Sequence, residues 1–179
     1  MGLVGRGSWE GMAAGALGVA AMTLAEKVEQ AVTGRPDSHV PGRVLERLTG
    51  LPEVPGAQPR LRTLGMHVGQ AVALGALRGI MAESGLRGPW SSAMFTVIRL
   101  TNDQVLENAT GVGAPPWTWP RDELLVDLAH KSVYGFVTGA VADALASRHG
   151  PGPGGLHAQQ RAGRQADVGP VPRSQAAAS

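Results

Sequence analysis

Residues 117–145 constrain the fold more than any other segment, because they contain the clearest helix start in the sequence. Pro120 suits the first position of a helix, where its missing N–H costs nothing. Two acidic residues follow in the first turn, where the helix dipole favours negative charge. From Asp127 onward, polar residues recur at i, i+4, i+7 and i+11, so they share one stripe. We therefore predict a helix that packs among other helices and ends near Ser147.

Glycine is the second feature that restricts the fold, since 26 of the 179 residues are glycine, about twice the usual share. An interior glycine costs an exposed helix roughly 1 kcal/mol, whereas small residues at four-residue spacing let helix backbones approach closely in a membrane. We therefore predict an all-α fold, a small membrane bundle of four main helices. The predicted helix-packing glycines are Gly11, Gly15, Gly18, Gly65, Gly69, Gly75, Gly79, Gly135 and Gly139.

Proline, glycine and charge divide the chain into three parts. We predict a leader at residues 1–10, a helical membrane domain at residues 11–147 and a disordered tail at residues 148–179, which lacks hydrophobic periodicity. The first connector, about residues 33–60, is predicted to contain a short extra helix. The four main helices are predicted at about residues 8–32, 61–84, 90–108 and 120–147.

Several observations keep other interpretations open. Mean hydropathy is −0.02, which is low for a multi-pass membrane protein, so a soluble Ala-rich helical bundle is the main alternative. The uncharged residues 11–25 form a run shorter than the ~20 apolar residues that a membrane span normally needs. They are also compatible with a signal peptide that has Arg6 in its basic region. The glycine excess is equally compatible with a GC-rich coding bias.

The sequence lacks the residue patterns of the common catalytic classes. Without cysteine, the chain has no disulfide, thiolate metal site or cysteine nucleophile. It has neither a Gly-x-Ser-x-Gly nucleophile elbow nor a phosphate-binding loop with a Lys-Ser/Thr ending. Net charge is only +2 and the basic residues are dispersed, so nucleic acid is not an expected partner. We predict no enzyme activity and no cofactor.

Every main helix carries at least one charge beside its apolar surface. In a bilayer such residues are costly and normally face the bundle interior in pairs. A polar core of this kind could move protons or ions, or bind a small polar ligand. The alternative is that the charges pair only to hold the bundle, or lie near helix ends and extend into water. The candidate polar-core residues are Glu26, His67, Arg78, Arg99, Asp103, Asp127, His130 and Lys131.

Two details of this set bear on metal binding and on pairing. Asp127 and His130 have a spacing related to the Glu-x-x-His motif of helical metal sites, and Glu26 with His67 could complete four ligands. Only one such motif is present, so we predict no metal. Arg99 and Asp103 have the i, i+4 spacing of an ion pair, and Asp127 and Lys131 stand in the favourable order for one.

The last predicted loop and helix resemble a known family through seven residues: Pro115, Pro116, Trp117, Trp119, Glu123, His130 and Tyr134. These resemble the C-terminal part of YagU-like bacterial inner-membrane proteins, and the Gly-rich first helix is compatible with them. The resemblance implies a small multi-helix protein of the inner membrane without an established biochemical activity. It supplies no catalytic residues.

Together these observations predict a multi-pass inner-membrane protein with a structural or accessory role. The expected partners are the lipid bilayer and possible self-association or another membrane protein. The first alternative is a small transporter or an ion- or proton-conducting subunit that uses the polar core. The second alternative is the soluble Ala-rich bundle. Membrane orientation, oligomeric state, substrate and cleavage of the first helix stay open.

Overall fold

The computed structural model describes residues 1–53 and 60–160, and these residues contain helices and no strand. A 3₁₀ turn lies at Pro116–Thr118. The prediction of an all-helical chain is therefore correct over the described residues. The helices are α1 (Leu3–Thr33), α2 (Val40–Thr49), α3 (Arg60–Ser84), α4 (Pro89–Ala109), α5 (Arg121–Ser147) and α6 (Gly152–Gln160).

Helices α1 and α3 form the tightest pair in the bundle because glycines face each other across it. A Cβ atom added to Gly79 would lie 2.6 Å from the Cα of Gly11, and one added to Gly75 would lie 2.7 Å from the Cα of Gly15. Real Cβ atoms do not approach other atoms so closely. The two backbones therefore touch directly, and any side chain at these positions would separate them.

Helix α5 packs against α1 and α4 through the other predicted glycines. A Cβ on Gly135 would lie 3.1 Å from the Cβ of Thr96, and one on Gly139 would lie 3.0 Å from the Cβ of Ser92. Gly18 meets the ring of Tyr134 on α5 in the same way, at 3.1 Å. Each of these glycines makes room for a polar or aromatic side chain of a neighbouring helix.

The prediction that Gly65 and Gly69 pack against another helix is wrong. No atom of the described residues lies within 4 Å of a Cβ added at either position. Both glycines lie in the first half of α3 on an exposed face, which also carries Leu64 and Val68. The four-residue spacing repeats there, but none of the described helices covers that face.

The apolar core is small, as expected for a chain with 4% aromatic residues. Its centre is the pair Phe95 and Tyr134, whose ring centroids are 5.7 Å apart. A second cluster consists only of alanines, Ala14, Ala82, Ala142 and Ala146. Close backbone approach compensates for the small side chains, because dispersion attraction depends on short distances between many atoms.

No helix over the described ranges 1–53 and 60–160 combines the length and the hydropathy that crossing a membrane requires. The predicted membrane bundle and its multi-pass inner-membrane location are therefore wrong, and the ion-conducting alternative loses its basis. Glycine and alanine add little hydropathy, and α1 also carries charged residues near both ends. Small residues at four-residue spacing indicate close helix packing in any environment. The alternative of an Ala-rich helical bundle fits better.

Several predicted boundaries differ from the observed ones. Helix α1 begins at Leu3, so most of the predicted leader belongs to it. Pro120 precedes α5 with an extended ψ of 143° and does not occupy the first helical position. Residues 148–160 of the predicted tail form a turn and α6, where Arg87 donates hydrogen bonds to the carbonyl oxygens of Ala146 at 3.1 Å and Gly150 at 2.8 Å. Residues 54–59 and 161–179 lie outside the described residues.

Candidate functional site

A cavity of about 720 Å³ lies among α1, α3, α4, α5 and the start of α2, and the loops at residues 35–38 and 113–120 border it. Seven of the eight predicted polar-core residues line it: Glu26, His67, Arg99, Asp103, Asp127, His130 and Lys131. Four separate helices contribute these side chains. The fold therefore brings together residues that the sequence places far apart.

Asp103 on α4 is the centre of a charged network in the cavity lining that also includes Arg99, Asp127 and Lys131. Only 6% of the surface of Asp103 is exposed. One carboxylate oxygen accepts a hydrogen bond from Gln70 Nε2 at 2.6 Å. The other lies 3.1 Å from Arg99 Nε and 3.1 Å from Lys131 Nζ. Lys131 Nζ also lies 2.7 Å from an oxygen of Asp127. The two i, i+4 pairs on α4 and α5 are thus joined into one network across the helix interface.

Arg99 is 3% exposed, and its guanidinium lies over the ring of Tyr134, with Cζ 5.3 Å from the ring centroid. Its Nη1 has no hydrogen-bond partner among the described residues. Its Nε is close to Asp103, but the contact lacks the direction of a hydrogen bond. Tyr134 donates its hydroxyl to the carbonyl of Ala71 at 2.6 Å, and burial raises the pKa of this phenol to about 12.

His67 on α3 lines the same cavity. Burial, together with the positive charges of Arg99 and Lys131, lowers the pKa of His67 to about 4, while Asp103 opposes the shift. The imidazole is therefore neutral at pH 7. Its Nε2 is buried without a hydrogen-bond partner in the described part of the chain. Arg99 and His67 thus have buried nitrogens that no atom of residues 1–53 or 60–160 satisfies.

Glu107 is the lining residue that the sequence analysis missed. No hydrogen bond or ion pair within the described residues engages its carboxyl group. Burial raises its pKa to about 7, a shift that Asp103 and Asp127 increase and that Lys131 and Arg99 reduce. The signal was present in the sequence, since Glu107 follows Asp103 by four residues and extends the polar stripe of α4 by one turn.

The rim of the cavity contains further acidic side chains, and the described structure gives several of them a partner. Asp37 pairs with Lys27 at 2.5 Å, and Glu26 accepts a hydrogen bond from Gln30 at 3.3 Å. Trp119 forms part of the wall, and its indole N–H is fixed by the carbonyl of Ala114 at 2.7 Å. The apolar lining residues are Met22, Val40, Val44, Met66, Leu106 and Val126.

Arg78, the eighth predicted polar-core residue, lies outside the cavity. It is fully buried, and its Nη2 contacts Asp143 at 2.7 Å. The other oxygen of Asp143 accepts a hydrogen bond from the backbone N–H of Gly88 at 2.8 Å. This pair joins α3 and α5 to the turn before α4, so its role is structural.

The four residues considered as metal ligands, Glu26, His67, Asp127 and His130, all line the cavity without forming a compact ligand set. Over residues 1–53 and 60–160, the group with metal-ligand spacing is elsewhere and consists of Glu10, Glu83 and His149. Glu83 is 3% exposed and already has partners, since Arg6 Nη2 and His149 Nδ1 each lie 2.7 Å from its oxygens. The hydrogen bond from Arg6 lowers the pKa of Glu83. Ion pairing accounts for this group, which ties the end of α5 to α1 and α3.

No family model, curated protein or solved structure matches this chain. The resemblance to YagU-like proteins therefore has no support beyond its seven residues and stays a prediction.

Proposed function

We propose that the protein is an accessory binding module without catalytic activity, and that the cavity holds a small polar organic molecule. One observation carries this proposal: charged side chains from four helices converge on a single concave site that also has apolar walls. Sites for small molecules typically combine an apolar lining with a few convergent polar groups, in cavities of roughly 300–1,000 Å³. The volume of about 720 Å³ lies in this range.

The fixed positions of the charged side chains around Asp103 support binding as well. Asp103 accepts a hydrogen bond from Gln70 on α3 and pairs with the cations of Arg99 on α4 and Lys131 on α5. Arg99 in turn lies over the ring of Tyr134. Charged groups that are fixed before the ligand arrives lose little conformational entropy when it binds. The same groups are shielded from water, which strengthens their interaction with a charged ligand.

Glu107 favours a second candidate function, an enzyme that transfers protons. Its pKa of about 7 is close to the value at which a carboxylate works best as a general base near neutral pH. The binding module and the enzyme are distinguished by whether a bound molecule is chemically converted. A ligand that leaves the protein chemically unchanged after long incubation supports the binding module, whereas conversion to a product supports the enzyme.

Thermal unfolding in the presence of a library of small charged metabolites tests the proposal. A ligand at 100 times its Kd stabilises a protein by about 2.7 kcal/mol, which raises the Tm by several degrees in a chain of this size. The variant Val126→Trp fills the cavity and should abolish this rise. Leu125→Trp is the matched control, because Leu125 is 64% exposed and lies outside the cavity.

The proposal fails if no library member raises the Tm of the wild-type chain. It also fails if Val126→Trp and Leu125→Trp respond to an active compound as the wild type does, since the binding site would then lie elsewhere. The variants should first give the wild-type circular dichroism spectrum, so that loss of binding is not confused with loss of the fold.

A further inference from the structure

The polar groups of the cavity that lack a protein partner indicate which ligand it accepts. A buried polar group left without a hydrogen bond costs about 1–3 kcal/mol, and a ligand that supplies the missing partner removes that cost. Asp103, Asp127 and Lys131 satisfy one another and do not need a ligand. Among the described lining residues, Arg99 Nη1 and His67 Nε2 are buried without a hydrogen-bond partner. The carboxyl group of Glu107, eight residues further along α4, is partly exposed and has no hydrogen bond or ion pair within the same residues.

The Arg99 end requires an anionic oxygen. The guanidinium of Arg99 has an unpartnered Nη1, and the neutral His67 has an unpartnered Nε2 that can donate in the appropriate tautomer. A carboxylate fits this pair better than a doubly charged phosphate. Asp103 and Asp127 lie close by, and their charges oppose a dianion more strongly than a monoanion.

The Glu107 end requires a cationic donor. Glu107 lines the cavity without a hydrogen bond or ion pair to the described part of the chain. The lining as a whole contains six acidic and three basic side chains. An ammonium group at Glu107 would supply both a hydrogen bond and a compensating charge. Trp119 lies in the same wall, where an indole ring can pack against the methylene groups next to an ammonium.

The two ends are separated along α4. Arg99 and Glu107 are eight residues apart on one helix, so their Cα atoms are about 12 Å apart at 1.5 Å per residue. Both residues line the cavity, and the conformations of their side chains set the distance between the two charged groups. The ligand must therefore be longer than a simple α-amino acid.

We infer that the cavity binds an extended zwitterion, such as an ω-amino acid or a dipeptide, with its carboxylate at Arg99 and His67 and its ammonium at Glu107. This inference rests on the proposed function, because it specifies the ligand class of the same cavity. Neither charged group of the ligand alone would satisfy both ends.

Isothermal titration of the full chain with three compounds of matched length tests this inference. The compounds are 6-aminohexanoate, hexanoate, which lacks the ammonium, and hexylamine, which lacks the carboxylate. We expect 6-aminohexanoate to bind at least roughly tenfold more tightly than either of the others, because each charged hydrogen bond is worth a tenfold or larger change in Kd. Glycylglycine extends the test to a dipeptide.

Two variants test the ammonium site at Glu107 and the carboxylate site at Arg99 and His67 separately. Glu107→Gln should bring 6-aminohexanoate and hexanoate to nearly equal affinity, because it removes the ammonium site alone. His67→Phe should weaken both carboxylates and leave hexylamine unchanged. Asp122→Asn is the control, since Asp122 is an exposed acid on α5 outside the cavity, and it should preserve the wild-type order of affinities.

Equal binding of 6-aminohexanoate and either singly charged compound to the wild type would overturn the zwitterion inference. Failure of all four compounds to bind would overturn it too. Neither result touches the proposed function, which is decided separately by the wider metabolite library and by the Val126→Trp and Leu125→Trp variants.

Discussion

The first prediction concerns the folding stability that Lys131 contributes, because its ammonium group joins α4 and α5. Its side chain is 8% exposed and lies 3.1 Å from Asp103 and 2.7 Å from Asp127. The change Lys131→Ala removes the cation and leaves both carboxylates in place. Asp103 is 7% exposed in its side chain and retains Arg99 and Gln70, whereas Asp127 loses its ion-pair partner.

The magnitude follows from this arrangement. Removing one partner of a buried ion pair costs about 3–5 kcal/mol. The lower end applies here, about 3 kcal/mol, because Asp127 is 26% exposed and water can reach it. In a chain of this size 1 kcal/mol shifts the Tm by about 2–4 °C. We therefore expect Lys131→Ala to lower the Tm by roughly 6–12 °C.

A double variant separates the charge effect from lost packing. Asp127→Asn combined with Lys131→Gln removes one charge of each sign, and it should be milder than Lys131→Ala alone. Lys27→Ala is the surface control, because Lys27 and its partner Asp37 are 55% and 49% exposed and such pairs add little stability. Thermal unfolding monitored by circular dichroism measures all three. A wild-type Tm in Lys131→Ala, or a double variant as unstable as the single one, would refute this reasoning.

Two further predictions concern packing and pH. Gly79→Ala should destabilise the protein strongly, since its Cβ would lie 2.6 Å from the Cα of Gly11, whereas Gly65→Ala should stabilise it by up to about 1 kcal/mol. Chemical denaturation compares the two, and equal effects would contradict the close contact between α1 and α3. Glu107 has a folded pKa of about 7 against an ordinary value of 4.5, so the folded state binds more protons between these values and stability should fall as pH rises through that window. Glu107→Gln should reduce this fall in denaturation curves recorded from pH 4.5 to 7.5, and an unchanged pH dependence would show that other groups cause it.

The sequence by itself determined most of the secondary structure, although not α6 or the first turns of α1, and two local ion pairs. Helical periodicity, the prolines and the glycines between segments located the four main helices and the short α2. The spacing of Arg99 with Asp103 and of Asp127 with Lys131 identified two pairs that the structure contains. These features depend on residues within one or two helical turns of each other, so a single segment carries all the necessary information.

Only the tertiary structure decided the partners of each glycine and the composition of the cavity. Four-residue glycine spacing is the same in a membrane and outside one, so this pattern could not distinguish the two. The helix bounds of the described residues show that none is long and apolar enough to cross a membrane. Gly75 meets another backbone while Gly65 meets nothing in the described residues, because only one of them lies where α1 crosses α3. Glu107 differs from the other acids of its stripe for the same reason. Whether a carboxylate is paired or left facing a cavity depends on side chains from other helices, and the chain brings these together only when it folds.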